Sequence, residues 1–278
     1  MSADRRLAEV DGPLRNRSRD AAILCYHSVA PDGPPFLSIT PEVFESQLAA
    51  LRRHGFRSGN LADLAAMAEG SGRSEGRLVF LTFDDGYLDN FTRALPLLRE
   101  HGFGALVFLL PPCVDDGGAF GWPEVADERR AYPDVMRSLD WGMVEAMAED
   151  GIEFGAHTLT HPHLPDLSDD ELAHQLGDSR QRIADRLGAC VSVAYPFGDW
   201  DERVAAAAAS AGYTLAFTMP RGAQAAASAM SIPRVAIDHR DVGGRFRGKL
   251  SPQGRRLLLS PAKERLRSLR GLVPGGGR

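Results

Sequence analysis

Cysteine is scarce in this chain. Cys25, Cys113 and Cys190 are odd in number and share neither CxxC spacing nor the density of a small secreted framework, so a disulfide scaffold is excluded and a reducing compartment is allowed. Long apolar runs are lacking as well. No stretch reaches the roughly 18 consecutive apolar residues of a membrane span, and residues 1–20 alternate charges without the apolar segment of a secretory leader. The expectation is a cytoplasmic protein. Neither sign of charge dominates: a net charge of -5, with 25% charged residues, leaves no electrostatic footprint for nucleic acid. Internal repeats are absent, and 278 residues can bury one large α/β core.

What the chain does have is a rhythm of short apolar strands and capped helices. Strands are expected at residues 21–26, 78–83, 105–110, 152–156, 191–195, 213–218 and 232–237. Between them Thr40-Pro41 opens a helix as N-cap and first residue, with Phe44, Leu48 and Leu51 as its apolar stripe. Further helices are expected over residues 61–68, 90–101, 140–150 and 201–211, and Ser168 with Glu171 forms a capping box for one reaching Gly188. About seven strands alternating with helices predict a parallel α/β layout, with a barrel as its closed form. Residues 111–137 carry Gly117-Gly118, Trp122, Pro123 and Pro133 without a clean period and read as a long loop over the carboxyl face. The organisation expected is a polar segment 1–20, a folded domain 21–239 and a basic tail 240–278, where eleven Lys or Arg face two acids. Residues 255–269 have the pattern of a basic amphipathic helix; packing on the domain is the plainer account, and peripheral contact with anionic lipid the alternative.

The chemistry concentrates at strand ends. The run Leu78-Val79-Phe80-Leu81-Thr82-Phe83 reads as a strand buried on both faces, and it ends in Asp84-Asp85-Gly86. Two adjacent carboxylates there need a cation, donors or water, and the carboxyl ends of parallel strands are where ligands bind. His27 leads off the first strand in the same way. His157-Thr158-Leu159-Thr160-His161 places two imidazoles just past another strand, in a shaped loop because Pro162 disfavours helical dihedrals before it. Two histidines and a carboxylate leave coordination positions open, the build of a catalytic zinc site. An HxxxH alone arises by chance, and one aspartate could simply cap the helix that follows. Joined with the carboxylate pair, the metal reading gains force: one aspartate binds the ion and the other takes a proton from water, the order being open from these residues alone.

Thr82-Phe83-Asp84-Asp85-Gly86, His157-Thr158-Leu159-Thr160-His161 and Tyr195-Pro196-Phe197-Gly198, in this order, resemble the polysaccharide deacetylases of carbohydrate esterase family four, over residues 23–237. The resemblance implies a distorted (β/α)7 barrel and metal-assisted hydrolysis of an N-acetyl amide on an amino sugar. It implies Asp84 as general base, Asp85, His157 and His161 as ligands of a divalent ion (zinc first, with nickel, cobalt or manganese as alternatives), and the backbone N–H of Phe197 as oxyanion donor. The Tyr26-His27 opening resembles a branch, including enzymes of poly-N-acetylglucosamine, whose N-terminal histidine is the acid; His27 takes that role. Two departures stand out. Ala194 occupies the place of the arginine that orients the base, and Ile232-Pro233-Arg234-Val235 stands where a Leu-x-His is expected, with His239 the only histidine nearby. Tyr195, Pro196, Phe197 and Trp141, with Trp122 and Trp200, are candidates for the sugar cleft, since sugar faces stack on aromatic rings, although a core role is an equal reading for Trp141. The alternatives are a related hydrolase of cyclic ureides, which the lost arginine favours, and a catalytically weak sugar-binding domain.

Overall fold

The computed structural model describes residues 21–69, 76–219 and 228–258. Its strands, in chain order, are β1 (Ala21–Tyr26), β2 (Ser28–Val29), β3 (Ser38–Ile39), β4 (Phe56–Ser58), β5 (Arg77–Phe83), β6 (Leu106–Leu109), β7 (Glu153–Ala156), β8 (Ser192–Ala194), β9 (Leu215–Thr218), β10 (Ile232–Pro233) and β11 (Val235–Ala236). The main sheet runs β10-β9-β8-β7-β6-β5-β1-β11, every pair parallel. Only Arg234 separates β10 from β11, so one short segment pairs with β9 on one side and with β1 on the other. The result is a nearly closed α/β barrel in which that segment is the seventh position, as the sequence predicts.

Period-two alternation divides each strand between two apolar clusters. Ala21, Leu78, Phe80, Leu106, Phe108, Ala194, Leu215, Phe217 and Ile232 pack together inside the barrel, where Leu64 and Met67 of the helix Leu61–Ala68 join them. The intervening Ala22, Leu24, Tyr26, Val79, Leu81 and Phe83 pack outward against the helices. Tyr26 and Phe83 stack at 5.3 Å, and Phe44 of the helix Pro41–Arg53 meets both edge-on. The caps form as expected: Thr40 Oγ1 accepts from the Val43 N–H, and Ser168 with Glu171 closes the box that starts Asp169–Leu187.

Residues 111–137 are not the loop expected from their composition. They contain the helices Pro111–Asp116 and Ala126–Ala131, joined through a 3-10 turn at Pro123–Val125, and they enclose a satellite cluster of Tyr87, Leu110, Phe120, Trp122, Val125 and Met136. The helices are too short to show a period, and their Pro and Gly residues sit at starts and ends rather than inside. Past residue 239 the chain continues on the barrel. The helix Gly243–Leu250 buries Phe246 and Leu250 in the main cluster, and Lys249 Nζ donates to the Ala236 carbonyl at 2.6 Å. Of the amphipathic helix expected at 255–269, residues 259–269 lie outside the described residues, as does the segment 1–20. Among the described residues no helix is long and apolar enough to cross a membrane.

Candidate metal and catalytic centre

The register of the barrel brings the strand ends together. Tyr26 pairs with Phe83, and the Asp84 N–H donates to the Tyr26 carbonyl at 3.0 Å, so His27 and Asp84 leave adjacent strands side by side. Leu109 pairs with Ala156 and Ala156 with Val193, which sets His157 beside Ala194. Asp84 continues the inward face of Leu78, Phe80 and Thr82. Asp85, by contrast, has φ 70°, and Gly86 after it has φ 72°, so the backbone turns at once into the left-handed region and swings the second carboxylate toward β7. Leu109 fills the space above Gly86: a Cβ there would stand 2.8 Å from its Cδ2.

Asp84 is gripped from across β1, by the segment that pairs with the other edge of that strand. Arg234 Nη1 donates to Asp84 Oδ1 at 2.6 Å and Nη2 to Oδ2 at 2.8 Å, while Nη1 also reaches Thr82 Oγ1 at 3.1 Å. The Cys25 thiol donates to Asp84 Oδ2 at 3.4 Å. Burial alone would raise the Asp84 pKa; the charge of Arg234, then His157, and the hydrogen bonds from Arg234 outweigh it and hold the carboxyl well below the usual range. The guanidinium lies 5.4 Å from the Phe108 ring and 5.9 Å from that of Phe217, in the layer where Ala194 also packs. The guanidinium on Asp84 thus comes from the last strand segment, between β10 and β11, and not from position 194. In the sequence Arg234 stands where a Leu-x-His is expected, and its one signal is a charge inside an apolar strand.

Asp85, His157 and His161 form the second half of the centre, all three buried and their candidate ligand atoms within 4.8 Å of one another. His157 Nδ1–H donates to the Ala194 carbonyl at 2.8 Å, which leaves Nε2 as a lone-pair nitrogen facing Asp85 Oδ1 at 3.5 Å. His161 Nε2 faces the same oxygen at 3.7 Å. Asp85 Oδ1 is buried and has no hydrogen-bond partner among the described residues. Burial, then the Asp84 charge, pushes the Asp85 pKa well up, and burial lowers that of His157. His161 is brought down to about 2, by burial first and His157 second. Neutral imidazoles and a carboxylate pointed at one place, with no donor between them, are groups that repel or ignore each other until a cation joins them. The residues fit a divalent ion.

The remaining candidates divide. His27 is brought to the centre: a ring nitrogen lies within 4.8 Å of Cys25 Sγ and an Asp84 oxygen, and burial, helped by Arg234 and His157, brings its pKa to about 4. Its carbonyl accepts from Asn90 Nδ2 at 2.8 Å, and Asp89 beside it accepts from Ser28 Oγ and the Val29 N–H, so the π-helical turn Asn90–Ala94 starts by clamping the chain that carries His27. Phe197 sits in the left-handed region at φ 58°, its ring edge-on to His161 at 4.5 Å and stacked on His163 at 4.0 Å; His163 Nδ1 in turn holds Asp199 at 2.7 Å. Tyr195 and Pro196 are buried, and the Tyr195 hydroxyl donates to the Met230 carbonyl, so that phenol is tied into the fold rather than presented to a ligand. Trp141 takes the core role. It packs in the main cluster, donates its indole N–H to Asp115 Oδ1 at 2.6 Å and is covered by Arg186. The tryptophan that reaches the centre is Trp122, stacked on His161 at 4.4 Å. His239 is bound to the Pro35 carbonyl through its ring.

Comparison with known proteins supplies the family context. Residues 71–216 match the family model described as polysaccharide deacetylase. YxkH of Bacillus subtilis (strain 168) is 25% identical over 202 residues, covering 72% of this chain and 65% of its own length. The poly-beta-1,6-N-acetyl-D-glucosamine N-deacetylase of Escherichia coli (strain K12) is 24% identical over 237 residues, covering 73% of this chain and 34% of its own. The chain therefore spans less than two thirds of the length of both curated relatives. In fold it resembles the Streptococcus pyogenes deacetylase PplD solved with acetate, at a TM-score of 0.69 and 23% identity, over 87% of this chain and 98% of that one.

Proposed function

The chain belongs to the polysaccharide deacetylase family, and from that premise we propose that it hydrolyses the N-acetyl amide of amino sugars in a glycan, with a divalent ion held by Asp85, His157 and His161. The observation that carries this reading is the buried, unpartnered Asp85 Oδ1, faced by two imidazole nitrogens and set beside an aspartate that Arg234 holds ionised. The ion would polarise the acetyl carbonyl and make water a better nucleophile, and two nitrogens with one carboxylate favour zinc. Asp84 takes the proton of the attacking water: its two oxygens are fixed by the guanidinium fork, so the carboxylate stays charged and aimed. The Phe197 N–H donates to the developing oxyanion, from a backbone turn whose left-handed φ is kept by its contacts with His161 and His163. His27 protonates the departing amine. With a pKa of about 4 in the resting protein it is neutral near pH 7, so the proton it delivers must reach it during turnover, and Asp84 is the adjacent source.

A β-1,6-linked N-acetylglucosamine polymer is the substrate class proposed, because the Escherichia coli relative bears that name and the Tyr26-His27 opening is present. Arg234 removes the argument for a ureide hydrolase, since the base has its arginine after all. The test is metal content together with acetate release from N-acetylglucosamine oligomers. Wild type should carry about one ion per chain and release acetate; Asp85→Ala should lose both; His27→Ala should keep the ion and lose about 10²–10⁴-fold in turnover. Metal-loaded wild type that frees no acetate from any such oligomer would refute the reading.

A further inference from the structure

The two histidines of the centre are oriented in different ways. His157 has the arrangement common to metal-binding imidazoles, with its far nitrogen donating to a backbone carbonyl. His161 does not: its buried Nδ1 has no partner on another of the described residues and nears only its own backbone carbonyl. Its ring lies instead between two aromatic side chains, with the face of Trp122 at 4.4 Å and 20° and the edge of Phe197 at 4.5 Å and 72°. The backbone is held at φ 60°, with the His161 N–H donating to Thr158 Oγ1 at 3.1 Å and Gln175 Oε1 accepting from the Leu159 and Thr160 N–H groups, but these bonds do not set the plane of the ring. Trp122 is well placed to orient a neighbour. It is 6% exposed, packs on Phe120 at 5.1 Å within the satellite cluster, and the Phe120 carbonyl accepts from Arg129 Nη1.

We propose that Trp122 is a positioning residue for His161, its indole face standing in for a hydrogen-bond acceptor on another residue and fixing the ring plane that turns Nε2 toward Asp85. This rests on the reading of Asp85, His157 and His161 as ligands of one cation. The physical ground is electrostatic as well as steric. A cation on Nε2 draws electron density from the imidazole, and an electron-poor ring stacked on an electron-rich indole is attracted more strongly than a neutral one. Ion binding and stacking therefore reinforce each other, and this contact adds a side-chain link between residues 111–137 and the centre to those made through Tyr87 and Leu88.

The experiment uses Zn2+ as probe on metal-stripped full-length protein, with affinity read by competition against a chromophoric chelator and intrinsic fluorescence read alongside. Trp122→Leu keeps an apolar side chain without the flat face, and it should weaken Zn2+ binding about 10- to 100-fold, the range for losing an outer-shell support of a metal histidine. Trp122→Phe should lose less. In a His161→Ala background Trp122→Leu should cost nothing further, which separates an effect through His161 from general loosening of the fold. Wild-type fluorescence should change on Zn2+ addition and Trp122→Phe should not respond, an outcome that decides the matter even if Trp122→Leu fails to fold. Folded Trp122→Leu that binds Zn2+ as wild type does, or a Zn2+ response that survives in Trp122→Phe, overturns the role of Trp122 while leaving the ligand set standing. Wild type that binds no Zn2+ overturns the ligand set and this role with it.

Discussion

Arg234 and Asp84 meet through two parallel hydrogen bonds, 150 residues apart in the chain and both buried. A fork of this kind fixes the carboxylate in plane and keeps it ionised, which a lysine could do only as a point charge. Asp84 has a depressed folded pKa, so the stability it contributes is present above the unfolded carboxyl value of about 3.9 and is lost as pH falls through the lower folded value. Arg234→Gln leaves that carboxylate buried and unpaired, at a cost of about 3–5 kcal/mol. With burial then dominant, the Asp84 pKa rises, and the acid limb of kcat/KM should move to higher pH. Arg234→Lys should fold and retain part of the activity. A pH profile unchanged in Arg234→Gln would show that the guanidinium does not control the base.

Asp85 makes the opposite case. Its carboxyl is destabilised as a charge by burial and by Asp84, and nothing among the described residues donates to Oδ1. The metal-free protein should therefore be strained there. Zn2+ at about 100 times its dissociation constant should stabilise wild type by about 2.7 kcal/mol, read as a rise of several degrees in Tm that a chelator reverses. Asp85→Ala should show no such rise, yet its metal-free form should be at least as stable as metal-free wild type. A destabilised metal-free Asp85→Ala would mean that the carboxylate has a structural partner.

The turn that carries the proposed oxyanion donor depends on one glycine. Gly198 has φ 73°, and a Cβ there would stand 2.5 Å from both the backbone N and the Cβ of Met219; Thr218 Oγ1 donates to its carbonyl at 2.7 Å. Gly198→Ala should cost more than the 1–3 kcal/mol of backbone strain alone and reduce acetate release beyond what stability explains. Gly177 is the control. It lies inside Asp169–Leu187 with open space where a Cβ would go, so Gly177→Ala should stabilise by about 0.5–1 kcal/mol in urea unfolding and leave turnover unchanged.

The barrel and its strand-end residues were legible because they break a local pattern. An apolar strand that ends in two carboxylates, or in a histidine, conflicts with burial unless a site is there, and caps such as Thr40 and Ser168 mark helix starts within four residues. What stayed illegible depends on distance or packing. Arg234 has no visible partner in the sequence; the closure of β10 and β11 onto β9 and β1 sets it within reach of Asp84, one strand away. Trp141 and Trp122 are both candidates for the cleft by sequence, and only the fold sends one to Asp115 in the core and the other to His161. The short helices within 111–137 lack the length over which a period can be read.

Asp89 offers a test of the layer beneath His27. Burial raises its pKa to about 6, against the opposing hydrogen bonds from Ser28 Oγ at 2.7 Å and the Val29 N–H at 2.8 Å. A folded value above the unfolded one means that this group's contribution to stability is fully present below about pH 4 and is lost as pH rises through 6. The loss is on the order of 2–3 kcal/mol. Asp89→Asn resembles the protonated acid and does not titrate, so the stability of the variant minus that of wild type should grow by this amount between pH 4 and pH 7, measured by urea unfolding with a chelator present. The same variant keeps one acceptor oxygen for Ser28 or Val29, and Asn90 still binds the His27 carbonyl at 2.8 Å, so the chain carrying the proposed acid should stay in place. A stability difference that is flat with pH would show that the hydrogen bonds to the carboxylate fully offset its burial.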